Sequence, residues 1–190
     1  MAKTVILGTA RTPVGKLGGG LSSLKAVELG GIAIEAALDR AGVAGEQVDH
    51  VVMGNVLQAG VGQIPSRQAQ INGGIPKEVS SETINKVCAS GMRTVGLAEA
   101  EAFAAGRKIR VTKVPFSANA KAMINDGLTN SFSGKHMAHE ASEVAAELEM
   151  TRADMDAWSV RSHQLTAKAT DEGKLPEEIV AVTIKGRKGD

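Results

Sequence analysis

The sequence has few aromatic residues and a single cysteine. Among its 190 residues there are no tyrosines, one tryptophan and three phenylalanines, and the only cysteine is Cys88. One cysteine cannot form an internal disulfide, which is consistent with a reducing compartment. The abundance of alanine and the 22 glycines favour closely packed helices on a sheet.

The sequence also lacks a strong charge of either sign and a long apolar run. It has 22 lysines and arginines against 21 acidic residues, a formal net charge of +1. This balance creates no field that would select nucleic acid or an anionic membrane. No stretch approaches the roughly 18 apolar residues of a membrane helix. We therefore expect a soluble, cytoplasmic protein with no nucleic-acid or membrane partner, which binds small molecules or other proteins.

The hydrophobic periodicity predicts that strands and helices alternate along the first part of the chain. Such alternation is typical of a layered α/β core with mostly parallel strands. After residue 130 the pattern becomes mainly helical. The predicted strands are 4–7, 49–53, 82–87 and 179–184, and the predicted helices are 24–40, 65–70, 89–108, 136–148 and one from 151 to before 173.

Cys88 stands between the predicted strand 82–87 and the helix that follows it. Ligand and catalytic sites in parallel α/β sheets lie at the carboxyl ends of the strands. The unpaired N–H groups at the start of a helix favour a thiolate, which is the nucleophilic form of cysteine. An isolated cysteine is often an inert core residue, but its place at this junction favours a catalytic nucleophile.

Other patterns in the sequence indicate binding sites only weakly. The glycines from Gly15 to Gly20 lack the spacing of a phosphate-binding loop. His136 and His139 with Glu140 lack a third-ligand pattern for zinc, so we predict no metal site. On pattern alone, Met137 is typical of core filling, and residues 185–188 are typical of a solvated turn.

Several stretches occur in the order and approximate spacing of one known family. They are Asn85-Lys86-Val87-Cys88-Ala89-Ser90-Gly91-Met92-Arg93, Arg11-Thr12-Pro13-Val14-Gly15, Gly54-Asn55-Val56-Leu57-Gln58-Ala59-Gly60 with Gly62-Gln63 and Arg67-Gln68, Asp126-Gly127-Leu128-Thr129, His136-Met137, Arg161-Ser162-His163-Gln164 and Lys185-Gly186-Arg187-Lys188-Gly189-Asp190. On these residues the chain resembles the thiolase family, in its biosynthetic acetyl-CoA acetyltransferase type. The resemblance covers nearly the whole chain except the region of residues 107–122. It implies a thiolase-like layered α/β domain with a mostly parallel sheet over 1–114, and a mainly helical loop subdomain over 115–190 that ends in a basic turn.

The resemblance also implies a reaction and its residues. Two acetyl-CoA molecules would condense to acetoacetyl-CoA and CoA, or the reverse, through an acyl thioester on Cys88. Leu128, His136 and Met137 would lie along the pantetheine channel, and Arg187 would approach the nucleotide end of CoA. The implied substrates are CoA thioesters with no tightly bound cofactor, and the implied assembly is a homo-oligomer or a complex with a complementary C-terminal half.

Two parts of the family pattern are missing from the sequence. The second half, which carries the family's catalytic histidine and second cysteine, has no counterpart here. About twenty residues are also absent between Cys88 and His136, which would leave an unpaired sheet edge unless residues 109–114 form a replacement strand.

Three interpretations therefore remain open. The chain is the amino-terminal part of a thiolase, or a non-catalytic thiolase-like protein that binds CoA or serves assembly, or an unrelated cysteine enzyme such as a hydrolase. The third needs a partner histidine that nothing in the spacing identifies. We favour the first interpretation.

Overall fold

A computed structural model describes residues 4–104, 109–113, 123–184 and 186. The chain divides into two compact units, Met1–Asn119 with Ile179–Asp190, and Ala120–Glu178. The division at residue 114 stays a prediction, since the contacts also group the last residues with the first unit. In the first unit the elements are α1 (Ala26–Ala41), β1 (Val48–Gly54), α2 (Pro65–Asn72), β2 (Ser80–Ile84), α3 (Ser90–Ala104) and β3 (Ile109–Lys113).

The three strands form one parallel sheet in the order β2-β1-β3. Gly54 lies opposite Ile84, and Met53 lies opposite Lys113, so the carboxyl ends of all three strands share one edge. This sheet and its covering helices confirm the predicted layered α/β fold with parallel strands.

The sheet is covered on both faces. Met53 faces α1 and α2, because a Cβ placed on Gly30 of α1 would lie 3.7 Å from its Cε. The adjacent Gly54 faces α3, where a Cβ would meet Ser90, as expected from the alternation of side chains along a strand. The core between the sheet, α1 and α2 consists of Ile34, Leu38, Val48, Val51, Met53, Ala69 and Ile75.

The helices of the first unit follow the sequence pattern closely. Gly42 ends α1 in the left-handed region with φ of 63°, which a glycine adopts without strain. Pro65 occupies the first turn of α2, as predicted. At the start of α1 the Lys25 N–H donates to Glu28 Oε2 at 2.6 Å.

Residues 109–113 form a strand. This is the replacement strand whose existence the sequence alone left undecided. The strand β3 pairs with β1 in parallel, with Val51 opposite Val111. The sheet edge beside β1 is therefore occupied, even though the segment between Cys88 and His136 is short.

Two predicted strands are wrong. Residues 4–7 form no strand, and Val5, Ile6 and Leu7 are exposed. Residues 179–184 make only an isolated parallel bridge, in which the Val180 N–H donates to the Arg11 carbonyl oxygen at 2.8 Å. A strand requires a hydrogen-bonded neighbour as well as apolar residues, and the described residues supply no ladder to either segment.

The second unit contains the helices α4 (Met137–Glu147), α5 (Arg152–Asp171) and α6 (Lys174–Glu178), preceded by a π-helical turn at Met123–Leu128. Thr151 caps α5 by accepting a hydrogen bond from the Asp154 N–H, while the Asp154 carboxylate accepts from the Thr151 N–H at 3.1 Å. This reciprocal pair is a capping box, and the helix begins where the sequence predicts it. None of the helices in the described part of the chain is long and apolar enough to cross a membrane.

Candidate active site

Cys88 lies in the junction between β2 and α3. The strand ends at Ile84 and the helix begins at Ser90, so the thiol stands at the carboxyl edge of the parallel sheet. Its side chain is exposed. This is the position from which a nucleophile at the start of a helix can meet a substrate at the sheet edge.

Ser90 holds the junction in its conformation. Its hydroxyl donates to the Val87 carbonyl oxygen at 2.6 Å and accepts from the Lys86 N–H at 2.9 Å. The Ser90 side chain is fully buried. Both of these hydrogen bonds lie within the segment that carries Cys88. Ser90 therefore holds the backbone on either side of the thiol in place.

Val87 has an unusual backbone conformation immediately before Cys88. Its φ is 47°, a region that costs a β-branched residue free energy. Its N–H donates to the Asn85 side-chain oxygen at 2.9 Å, which supports the turn. The strained residue turns the chain sharply between β2 and α3, and the next residue is Cys88.

The loops that follow β1 and β2 are joined by hydrogen bonds. The Asn55 N–H donates to the Ile84 carbonyl oxygen at 2.9 Å, and the Asn85 amide donates to the Val56 carbonyl oxygen at 3.2 Å. The Asn55 side chain is fully buried, yet neither its nitrogen nor its oxygen has a hydrogen-bond partner among the described residues. The two hydrogen bonds, from Asn55 to Ile84 and from Asn85 to Val56, therefore connect the ends of β1 and β2 at the sheet edge near Cys88.

No hydrogen bond to the Cys88 thiol occurs within residues 4–104, 109–113, 123–184 and 186. A thiol nucleophile is ordinarily activated by an adjacent base. The described residues therefore present an accessible sulfur and do not present the base that a full catalytic cycle would use.

The second unit brings together the three residues predicted to line a pantetheine channel. Thr129 and His136 form an antiparallel bridge, which places the neighbouring Leu128 and Met137 at the same end of a short turn. Leu128 is half-buried, whereas His136 and Met137 are exposed. The predicted Arg187 lies outside the described residues.

His136 also has a structural role that the sequence did not predict. Its Nδ1 accepts a hydrogen bond from the Ala138 N–H at 3.1 Å, so the ring caps α4. The neutral ring must therefore carry its proton on Nε2, which leaves an N–H donor on the ring's other side.

Glu140 ties the turn between Asn130 and His136 together. Its carboxylate accepts from the Ser133 hydroxyl at 2.6 Å and from the Asn130 amide at 2.9 and 3.1 Å. These two donors, Ser133 foremost, lower the pKa of Glu140 from its ordinary value, and the charges of Lys135 and His139 act in the same direction. The carboxylate is thus a structural acceptor.

We expect Ser133→Ala to raise the pKa of Glu140 toward its ordinary value, because the substitution removes the strongest donor. Since the folded-state pKa is depressed, the carboxylate stabilises the turn above its unfolded-state pKa, and this contribution is lost as pH falls through the lowered value. A pH titration of the Glu140 side-chain NMR signal measures the shift. The matched control is Ser142→Ala, whose hydroxyl bonds the Ala138 carbonyl oxygen instead. An equal midpoint in wild type and Ser133→Ala would contradict this account.

His136 and His139 do not converge on one ion in the described structure. His136 caps α4, and His139 Nε2 lies 3.4 Å from Glu143 Oε1. Three potential metal-ligating side chains do meet in the first unit, at His50, Glu82 and Glu101. Sequence analysis does not predict that group, because its members are far apart along the chain and meet only through strand register and the packing of α3.

The comparisons with known proteins cover almost the whole chain. The family described as "Thiolase, N-terminal domain" matches in two segments, residues 4–113 and 107–190. The acetyl-CoA acetyltransferase of Syntrophomonas wolfei is 42% identical over 210 residues, which are 99% of this chain and 53% of that protein. The acetyl-CoA acetyltransferase of Cupriavidus necator is 43% identical over 210 residues, 100% of this chain and 53% of that protein. The mitochondrial acetyl-CoA acetyltransferase of Xenopus tropicalis is 40% identical over 97% of this chain and 49% of that protein.

A solved structure agrees with these relatives. The acetyl-CoA acetyltransferase structure from Syntrophomonas wolfei superposes with a TM-score of 0.87 at 35% identity, and the match covers 97% of this chain and 51% of that one. The chain spans about half the length of the curated relatives it matches. The two bacterial alignments run over about twenty more positions than the chain has residues, which agrees with the predicted internal gap. The family match, the relatives and the shared fold together establish that this chain belongs to the thiolase family.

Proposed function

We propose that this chain forms the amino-terminal, nucleophile-carrying part of an acetyl-CoA acetyltransferase. The reaction is the condensation of two acetyl-CoA molecules to acetoacetyl-CoA and CoA, or its reverse. Cys88 attacks the acetyl carbonyl carbon as a thiolate, a new C–S bond forms, and the CoA thiolate leaves and takes up a proton. The resulting thioester keeps the acetyl group activated for the second step.

The observation that carries the proposal is the exposed Cys88 at the carboxyl edge of the parallel sheet. The chain's relatives at about 40% identity are named acetyl-CoA acetyltransferases, and this supports acetyl-CoA as the donor. We further propose that Leu128, His136 and Met137 contact pantetheine and that Arg187 contacts the nucleotide end of CoA. CoA thioesters are substrates here, and no tightly bound cofactor takes part. A cytoplasmic location remains part of the proposal.

The test is acetyl loading of the purified chain. Incubation with acetyl-CoA followed by intact-mass spectrometry should show the mass of one added acetyl group, and peptide mapping should place it on Cys88. Acetylation at a residue other than Cys88, or no acetylation after prolonged incubation, would overturn the proposed role of the thiol.

A non-catalytic CoA-binding or assembly function is the second candidate. The observation that favours it is the lack of a hydrogen-bond partner for the thiol among the described residues. Binding of CoA without acetylation of Cys88 would support this candidate over the first.

We also propose that the chain associates with a second copy or with a complementary C-terminal half. The surface near the nucleophile supports this, since Met92 is 78% exposed and Val87 and Val95 are 49% and 44% exposed. Clusters of exposed apolar side chains mark interaction surfaces.

We expect the chain alone to self-associate, because association would cover these apolar side chains. Light scattering at several concentrations should give a mass above that of the monomer, and Met92→Lys should lower it. The control is Val14→Lys, which changes a side chain that is 90% exposed outside this group. A monodisperse monomer at all concentrations would contradict the prediction.

A further inference from the structure

Three side chains that can bind a metal meet on the face of the sheet that α3 covers. They are His50 from β1, Glu82 from β2 and Glu101 from α3. His50 Nε2 lies 3.9 Å from a carboxylate oxygen of Glu82 and 3.9 Å from one of Glu101. One nitrogen and two oxygens, one from each residue, all lie within 4.8 Å of one another.

Strand register explains why these residues meet. In the parallel pair, His50 lies opposite Ser80 and Val52 lies opposite Glu82. Side chains two residues apart share a face of a strand, so Ser80 and Glu82 flank His50 on one side of the sheet. The helix α3 covers that side, as the contact between Gly54 and Ser90 shows, and one of its later turns brings Glu101 close to His50 and Glu82.

The His50 ring is oriented as a metal ligand would be. Its Nδ1 lies 2.6 Å from the Ser80 hydroxyl oxygen, so that nitrogen is occupied and Nε2 faces the two carboxylates. Metal-binding histidines are ordinarily held in this manner through the nitrogen that does not bind the metal. The His50 side chain is only 18% exposed, which limits the other positions open to the ring.

The separations between His50 Nε2 and the two carboxylates are compatible with a shared ion. A distance of 3.9 Å is too long for a hydrogen bond, so neither carboxylate is bonded to Nε2. Two ligands that each lie about 2.1 Å from a zinc ion are at most about 4.2 Å apart, and both separations from Nε2 fall inside this limit. The two glutamates are 43% and 36% exposed, so an ion in the solvent can reach both carboxylates.

We propose that His50, Glu82 and Glu101 form a binding site for a divalent transition-metal ion, for which Zn²⁺ is the probe. One imidazole nitrogen with two carboxylate oxygens favours ions such as Zn²⁺ or Mn²⁺ over Ca²⁺, which prefers oxygen ligands alone. The site is separate from the nucleophile, because His50 lies roughly 13 Å along β1 from the sheet edge where β1 ends. The ion clamps α3 onto β1 and β2 and takes no part in acetyl transfer.

The experiment is a calorimetric titration of Zn²⁺ into the chain carrying Cys88→Ser, because the exposed thiol would itself bind zinc. We expect one ion per chain and a rise in melting temperature with Zn²⁺. In that background, His50→Gln and Glu101→Gln should each weaken binding at least about 100-fold, and Ser80→Ala about 10-fold, since it removes only the support of the ring.

The matched control is His139→Gln. It removes a histidine that also lies near a carboxylate, at 3.4 Å from Glu143, but without the third ligand. It should leave zinc affinity unchanged. Circular dichroism identifies any variant that fails to fold, and Glu82→Gln, with a partly exposed side chain, then serves in its place.

Absence of stoichiometric Zn²⁺ binding, or binding that depends on His139 and not on His50, would overturn the site. Because the readout is affinity and melting temperature in a chain without the thiol, it is independent of acetyl loading. Failure of the metal site and failure of the proposed reaction are therefore distinguishable.

Discussion

Cys88→Ser is expected to lower acetyl loading from acetyl-CoA by at least about 1,000-fold, to below detection, because a hydroxyl is a poor nucleophile without an adjacent base. The substitution is nearly isosteric, and the side chain is exposed. We therefore expect the free energy of unfolding to change by no more than about 0.5 kcal/mol. Intact-mass spectrometry measures the loading, and urea unfolding followed by circular dichroism measures the stability.

The control for this experiment is Ala89→Ser, which adds a hydroxyl at the next exposed position and keeps the thiol. It should load acetyl at close to the wild-type rate. Acetyl loading that persists in Cys88→Ser at the wild-type level would show that the thiol is not the acceptor.

Gly54→Ala is expected to destabilise the first unit by about 2–3 kcal/mol through overpacking. A Cβ at this position would lie 2.6 Å from the Ser90 Cβ and 2.9 Å from the Ser90 carbonyl carbon. Neither atom can yield without moving the amino end of α3. Since Ser90 also holds the loop that carries Cys88, acetyl loading should fall together with stability. Urea unfolding and the loading assay measure the two effects.

Gly96→Ala is the matched control for Gly54→Ala. Gly96 lies within α3, and in the part of the chain that the structure describes a Cβ there would meet nothing within 4 Å beyond the backbone of its own helix. Alanine should therefore stabilise the helix by about 0.5–1 kcal/mol. Equal losses of stability in the two variants would contradict the claim that close packing around Gly54 causes the destabilisation.

Local sequence patterns predict most helices of this chain and where they end. Gly42 ends α1, Pro65 opens α2, and Thr151 with Asp154 opens α5, because each acts through backbone geometry or through bonds to residues a few positions away. Strands differ in this respect. Residues 4–7 have an apolar run much like that of β1, but only β1 has hydrogen-bonded neighbours on both sides. The residues of an apolar run do not specify which other strands will pair with it.

The same contrast between local patterns and long-range contacts applies to the candidate sites. The place of Cys88 follows from the order strand, cysteine, helix, all within a short stretch of chain. The meeting of His50 with Glu82 and Glu101 depends on the register of β1 against β2 and on how α3 lies across them. The role of Ser90 likewise depends on burial against Gly54, which no spacing rule predicts.

The parallel sheet has a consequence for the order in which the protein folds. The register partners Val48 and Ile109 are about sixty residues apart in sequence, and contacts of such long range slow folding because loop-closure entropy is lost before they form. During synthesis, β1, β2 and the segment of Cys88 leave the ribosome before β3 does. Until then β1 has an open edge, so we expect the nascent chain to need protection from strand-to-strand aggregation until residue 113 has emerged.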